Sequence, residues 1–400
     1  HISEDVAVVH NGIIENHKSL RIELESNGHL FLSETDSEVI SQLCLFYLKK
    51  GLDYKEALMS TLKKLEGAFA FCILFKKKKN HLFFAKRGSP LVIGYGEKEM
   101  FVSSDPISIT HVTNKVSYLE DFDWGYIDDQ KVQVYDKKNL TVKREIKFID
   151  YMNYNLEKGN YRHYMIKEIF EQPSVLTYSI NQFLSIDKKK NYLCFPINLC
   201  EFKQIKKIYL VACGTAYIAC LIAKNWLDTF LNIPIEVDFG SEFRYKSPKI
   251  ESDSLCVFVS QSGETADTLA SLKFAKQFTN KNVSIVNNLE SSISREAMFS
   301  LPIKAGPEIG VASTKAFTCQ LVVLFFLCLQ ISKTKNLIDA KKINSLLNDL
   351  ERIPSMLVEV LNLEKKIIKI SKQLALKKNA LFVGRGLCYP LSLEGALKLK

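Results

Sequence analysis

Three hydroxyl side chains and one glycine fall within six positions in the string SQSGETADT, residues 260–268. A short apolar run, 255–259, leads into it, and a helix-like stretch, 269–278, follows. In an open parallel sheet, ligands bind where strands end and helices begin. The free N–H groups of a helix start favour an anion. Ser260, Ser262 and Thr265 would add hydroxyl donors, Gln261 an amide, and Gly263 a backbone that can come close. That is a phosphate cradle built from neutral donors and a helix end. The glycine spacings of a P-loop and of a dinucleotide fingerprint are both absent. The bland alternative is ordinary N-capping. One cap needs one such residue, and this turn supplies three hydroxyls, so we favour binding.

Other strings carry weaker signals. LVACGTAY (210–217) is again strand, small residues, helix, and would place Cys213, Gly214 and Thr215 at a neighbouring strand end. Together the two turns suggest a small sugar phosphate held between two strand ends. AGPEIGVASTKAFT (305–318) is glycine-rich and opens a long helix, with Ser313 or Thr314 as its cap or as part of a loop closing over a ligand. Glu394 and Lys398 are four apart on one helix face, by default an exposed ion pair. In VHNG (9–12), Asn11 and Gly12 would give an amide and a backbone N–H to an oxyanion hole. From spacing alone, an Asn-Gly turn ending a strand is the preferred reading. In SETDSE (33–38), Asp36 is either a helix cap or a partner for a ligand's ammonium group.

These residues need elements to place them. Residues 1–150 show two helical patterns, 13–28 and 37–51, beside strand-like runs at 6–12, 68–75, 81–86, 90–95, 100–104 and 131–136. That suggests an α+β layer fold. The polar stretch 150–160 reads as a linker. From 161 to 184 the pattern predicts helices broken near Pro173. Strands at 207–212, 233–237, 255–260 and 282–287 then alternate with helices at 215–231, 263–278 and 313–331. Continuously apolar strands alternating with helices predict a parallel sheet covered on both faces. ALFVGRG (380–386) looks like the first strand of a second such unit.

With 400 residues, 47% hydrophobic and 24% charged, the chain can form two or three globular domains. Its net charge of +10 comes mostly from lysine, with runs at 76–79 and 188–190. No aromatics interleave with these runs, so they read as solvated loop tips and not as a specific nucleic-acid site. The ten cysteines form no C-x-x-C pair and histidine is scarce, so a structural zinc site is not expected. Most cysteines lie in apolar runs and are expected to be free core thiols of a reducing cytoplasm. The apolar stretch 316–331 is short for a membrane span and predicts a buried helix, so no membrane partner is expected. There is no initiator Met, and the last helical pattern has no stop signal, so we expect an internal piece of a longer protein.

VVHNGIIENH, SETDSEVI, GSPLVIG, YRHYMIKEIFEQP, SQSGETADTL, GPEIGVASTKAFT and LEGALKLK occur together, in order. In these strings the chain resembles the glutamine–fructose-6-phosphate aminotransferase (isomerising) family, the glucosamine-6-phosphate synthases, over nearly its whole length. The resemblance implies an α+β glutaminase part of the N-terminal-nucleophile type, followed by α/β sugar isomerase (SIS) domains with flavodoxin-like parallel sheets. The expected boundaries are 1–157 for the end of a type 2 glutamine amidotransferase domain, 158–336 for the first SIS domain, and 337–400 for connecting helices and the start of a second. The family takes ammonia from glutamine and passes it to fructose 6-phosphate, giving glucosamine 6-phosphate and glutamate, with no cofactor and no metal. Carried over by position, Asn11 and Gly12 look like the oxyanion hole and Asp36 like the contact to the glutamine amino group. Cys213, Gly214, Thr215, Ser260, Gln261, Ser262 and Thr265 look like the sugar-phosphate site. Val311 and Ser313 look like sugar contacts, and Glu394 and Lys398 like isomerase-site residues, which overrides the bland reading of that pair. SIS domains usually pair, which implies a homodimer.

The departures also matter. The family's nucleophilic Cys and carboxylate-binding Arg fall before His1, and its proton-shuttling Glu, ring-opening His and Schiff-base Lys after Lys400. Ala216 stands where many members have Ser, and NNLESS (287–292) replaces a more usual NVPGSS-like loop. The chain alone is therefore expected to bind sugar phosphate weakly and without turnover. The competing reading is a non-catalytic SIS module that senses a sugar phosphate, against which the glutaminase-like strings argue.

Overall fold

The computed structural model describes residues 1–128, 131–148, 157–184, 193–195 and 203–400. The lysine run 188–190, Cys200 and most of the 150–160 linker lie outside the described residues. The chain divides into two compact units, His1–Asn153 and Tyr154–Lys400.

In the first unit, β1 (Ile2–Ser3) and β2 (Val6–Ile14) precede three helices, α1 (His17–Ser26), α2 (Ser37–Lys49) and α3 (Tyr54–Lys64). Strands β3 (Gly67–Phe75), β4 (Leu82–Arg87), β5 (Val92–Tyr95), β6 (Met100–Ser103), β7 (Lys115–Tyr118), β8 (Trp124–Ile127), β9 (Val132–Tyr135), β10 (Thr141–Val142) and β11 (Lys147–Phe148) follow. They form a seven-stranded sheet, β1-β2-β3-β4-β8-β9-β10, and a four-stranded sheet, β11-β7-β5-β6. Side chains alternate faces along a strand. Phe69, Phe71, Ile73 and Phe75 of β3 therefore share one cluster with Leu20, Leu24, Val39, Ile40, Leu43 and Leu58 of the helices. Ala70 and Phe84 face the other way and pack with Leu91, Ile93 and Leu119, residues in or beside the second sheet. The helix α3, absent from the sequence reading, starts at Asp53 with a reciprocal capping box to Glu56.

Two readings of this unit need correction. The strand β2 does not end in a turn at Asn11–Gly12. It runs on to Ile14, with Asn11 opposite Ala70 and Gly12 opposite Phe69 on β3. The cause is close approach: Gly12 has φ +138°, and a Cβ there would lie 2.2 Å from the Ala68 carbonyl oxygen. The first helix consequently begins at His17, not at residue 13.

In the second unit, α4 (Tyr164–Asn181) is followed by β12 (Lys207–Ala212), α5 (Gly214–Phe230), β13 (Ile235–Phe239), α6 (Gly240–Phe243), β14 (Ser254–Ser260) and α7 (Ala266–Ala275). Then come β15 (Asn282–Val286), α8 (Ser292–Glu296), β16 (Phe299–Pro302), α9 (Lys315–Thr334), α10 (Ala340–Glu351), α11 (Ile353–Leu361), α12 (Glu364–Leu374) and α13 (Cys388–Leu399). The sheet is five-stranded, ordered β13-β12-β14-β15-β16, with every neighbouring pair parallel. Counting from β12 this is the order 2-1-3-4-5 of flavodoxin-like folds. Leu210, Val257 and Val259 face α5 and α9 on one side. Tyr209, Val211 and Phe258 face Phe243 and α7 on the other. The apolar helix α9 is long enough to cross a membrane, but it lies largely buried as a core helix.

The expected break at Pro173 does not occur, and α4 runs through it. Proline removes the N–H that would bond the carbonyl four residues back. The Gln172 side-chain amide takes its place, donating to the Ile169 carbonyl at 3.1 Å. The stretch 380–386 is also not a strand. It forms no ladder among the described residues, and its apolar side chains are exposed. A strand needs a neighbour for its backbone groups.

Burial pushes the thiols of Cys44, Cys256, Cys319 and Cys328 up to about 12, so they are inert core groups. Leu210, in the middle of β12, is 1% exposed. Leu210→Ala should cost about 2–5 kcal/mol through the cavity it leaves. In urea denaturation the unfolding transition of the second unit should move to lower denaturant while that of the first unit stays.

Candidate functional site

The first unit gathers residues around the end of β2. The carboxylate of Asp36, at the start of α2, accepts the Ile14 N–H at 2.7 Å. It makes no side-chain cap bond to its own helix. Beside it, His10 Nδ1 lies 2.9 Å from the Ser37 hydroxyl. Burial lowers the pKa of His10, against the pull of the Asp36 carboxylate. These bonds bring Asp36 to the strand segment that carries Asn11 and Gly12. Both of those residues are exposed, so a small ligand can reach them. The segment leading into α2 is held by Glu38, which the sequence did not single out. Its carboxylate accepts the N–H groups of Leu32 and Ser33 at 2.8 and 2.7 Å and the Ser33 hydroxyl at 2.7 Å. Burial alone would raise its pKa, but these donors outweigh it and hold the carboxyl below the ordinary value of 4.5.

In the second unit the two turns lie side by side. β12 and β14 are adjacent, and Ala212 is in register with Val259. The chain leaves β12 into α5 on one face and β14 into α7 on the other, so the crevice between them is the topological switch point. Cys213 occupies the N-cap position of α5, and its Sγ lies 3.7 Å from the Thr268 hydroxyl on α7. Gly214, with φ +57°, opens the helix start to solvent.

The second turn is tied by its own hydroxyls. Ser260 Oγ lies 2.8 Å from Thr265 Oγ1 and accepts the Gly263 N–H at 3.0 Å. Ser262 Oγ accepts the Glu264 N–H at 3.1 Å. The Gln261 carbonyl accepts the Asn287 N–H at 3.0 Å. Gly263 is required twice over: its φ is +70°, and a Cβ would stand 2.0 Å from Ser291 Oγ. Helix α7 begins only at Ala266, because residues 263–265 are spent on the turn. NNLESS joins this arrangement through Ser291, which caps α8.

The pair Glu394 and Lys398 is not a solvated face. Glu394 is 7% exposed, and α13 packs on α5. Lys398 Nζ lies 2.8 Å from Glu394 Oε1 and donates to the Thr215 hydroxyl at 2.8 Å. That hydroxyl donates in turn to Glu394 Oε1 at 3.1 Å. The second oxygen of Glu394 is buried without a hydrogen-bond partner among the described residues. Ala216 is buried against the core behind this triad.

Val311 and Ser313 lie on the loop between β16 and α9. Val311 is fully exposed, and no hydrogen bond joins either side chain to the cradle among the described residues. Thr314 is the N-cap residue of α9, but neither it nor Ser313 caps by side chain. Glu308 does so instead, accepting the Thr314 and Ala316 N–H groups at 2.8 and 3.1 Å. No local sequence signal marks Glu308, because it stands well before the helix it caps.

The family described as "Glutamine amidotransferase domain" matches residues 1–111, and the family described as "SIS domain" matches residues 201–329. Glutamine–fructose-6-phosphate aminotransferase (isomerizing) from Bartonella quintana is 44% identical over all of this chain. The protein of the same name from Zymomonas mobilis is also 44% identical. The chain belongs to this aminotransferase family. It spans 66% of the length of both relatives. A solved structure titled as the C-terminal domain of glucosamine-fructose-6-phosphate aminotransferase from Francisella tularensis matches at 41% identity and a TM-score of 0.57, covering 61% of this chain and 68% of that one. The α+β glutaminase part and the flavodoxin-like SIS sheet expected for the family are both present.

Two outcomes are expected from this geometry. The depressed Glu38 pKa means that its contribution to stability is complete above about pH 4.5 and is lost as pH falls through the lower folded value. Glu38→Gln should therefore lower the urea midpoint of the first unit at pH 7, and the gap to the unaltered chain should narrow as pH falls below about 4.5. Gly263→Ala should destabilise the second unit by about 1–3 kcal/mol, since the turn needs a positive φ and the added Cβ would meet Ser291 Oγ. Urea denaturation followed by circular dichroism measures this.

Proposed function

We propose that this chain carries the glutamine-binding and sugar-phosphate-binding parts of an enzyme that moves the amide nitrogen of glutamine to fructose 6-phosphate. The products are glucosamine 6-phosphate and glutamate, at the entry to amino-sugar biosynthesis. Water consumed in releasing ammonia is returned when ammonia condenses with the sugar carbonyl, so the overall transfer balances. In this reading Asn11 and Gly12 stabilise the oxyanion of the glutamine amide, and Asp36 holds the substrate's ammonium group with the oxygen not bonded to Ile14. The α5 start with Cys213, Gly214 and Thr215, and the turn with Ser260, Gln261, Ser262 and Thr265, hold the phosphate. Val311 and Ser313 meet the sugar. Glu394 and Lys398 serve the isomerisation, where a proton must be held near C1.

The observation that most supports this reading is the triad of Thr215, Glu394 and Lys398 beside a cradle of neutral donors at the switch point. A cap or a surface ion pair needs no buried carboxylate hydrogen-bonded to a helix-start hydroxyl. We assign 1–157 to the amidotransferase domain, 158–336 to the first SIS domain and 337–400 to connecting helices and the start of a second. The protein acts in the cytoplasm, as a homodimer, without a cofactor. Of the cysteines in the first unit, Cys44 and Cys72 are held up at about 12 by burial, so neither supplies the thiolate that amide cleavage requires.

The 400-residue chain is therefore expected to bind fructose 6-phosphate without consuming glutamine. The natural gene product, given both substrates, is expected to release glutamate and glucosamine 6-phosphate in equal amounts. Glucosamine 6-phosphate made by the 400-residue chain would overturn the first expectation. Sugar-phosphate binding by the natural protein with no glutamate release would favour a non-catalytic SIS sensor instead.

A further inference from the structure

The loop 305–314 carries Val311 and Ser313, yet neither side chain anchors it. Its backbone is held at three points, two of them from outside the loop and one by a residue of its own. Asn287 bridges the loop's entry, donating to the Gly306 carbonyl at 2.7 Å and accepting the Ala305 N–H at 3.0 Å. Glu308 closes its exit on the start of α9. The middle is held by Glu168 of α4, a residue 2% exposed. Its Oε1 accepts the Ile309 and Gly310 N–H groups at 2.6 and 3.0 Å, and its Oε2 lies 3.3 Å from the Gly310 nitrogen.

Gly310 is the matching half of this contact. A Cβ at 310 would stand 2.5 Å from Glu168 Oε2, so any larger residue would push the loop off the carboxylate. No unusual backbone angle is involved, since Gly310 is not among the positive-φ glycines. Charge-assisted bonds from a buried carboxylate to backbone amides are short and directional. One turn further along α4, Glu171 pairs with Lys315, the first residue of α9, at 2.7 Å. The same helix thus holds both the middle of the loop and the element that follows it. Val311 comes directly after the clamp and packs against nothing, so its position is set by the backbone alone.

We propose that Glu168 is a positioning residue for the sugar site: its carboxylate, seated against Gly310, holds the loop in the conformation that presents Val311 and Ser313 to the sugar phosphate. The inference rests on the sugar-phosphate reading given above. It assigns no chemical step to Glu168.

The test uses the natural full-length protein with Glu168→Ala, Gly310→Ala and the two combined. Each single substitution should raise KM for fructose 6-phosphate about tenfold, while KM for glutamine and the affinity for inorganic phosphate stay unchanged. The methyl group that Gly310→Ala introduces fits where the Glu168 carboxylate was, so the double variant should be no worse than Glu168→Ala alone. Glu168→Gln, which keeps one acceptor oxygen, should fall between Glu168→Ala and the unaltered protein. A double variant whose loss equals the product of the single losses would overturn the clamp. So would a Glu168→Ala protein whose KM for fructose 6-phosphate stays within about twofold of the unaltered one. Failure of the unaltered protein to bind fructose 6-phosphate at all would instead remove the sugar reading, and this inference with it.

Discussion

The second unit is organised by a constraint of parallel sheets. Where consecutive crossovers leave a sheet by opposite faces, the two helix starts cannot cover the strand ends between them. Here β12 feeds α5 on one face and β14 feeds α7 on the other, while Ala212 and Val259 stay in register. The crevice that results lies between the two turns, at the starts of α5 and α7, and α13 packs on α5 beside it.

Much of this was legible from residue types. The strands β12 and β14 stand out because burial on both faces makes their interiors continuously apolar. The helix α9 stands out for the same reason. The hydroxyl turn at 260–265 was legible because three short polar side chains beside a glycine exceed what one helix cap uses. The helices α6 and α8 escaped notice because four or five residues carry no period to detect. The path of β2 through Asn11 and Gly12 was hidden because its cause, the Ala68 carbonyl, sits far along the chain. Pro173 misled for a local reason: the residue that repairs the helix is its own neighbour, Gln172, and a glutamine has no recognised meaning at that place.

The positions that sequence reading missed share a chemistry. Glu38 and Glu168 turn their carboxylates onto backbone amides of a loop, and Glu308 turns its own onto the first amides of α9. The partners of Glu168 lie 141 and 142 positions away, so no window of sequence can contain both halves. A carboxylate used this way satisfies groups that would otherwise be buried without partners, and it fixes an irregular segment without adding regular structure. Both units use this device beside their candidate sites, Glu38 next to Asp36 and Glu168 next to Val311.

Thr215 has a single proton to give. In this structure it gives that proton to Glu394 while accepting one from Lys398, so the start of α5 and the helix α13 share one hydroxyl. A phosphate that recruits this hydroxyl as a donor competes with Glu394 for it. Anion occupancy and the seating of α13 are then two sides of one equilibrium, and whatever one does to the other is returned in equal measure. A single side chain thereby makes the far end of the chain responsive to whether the crevice is filled.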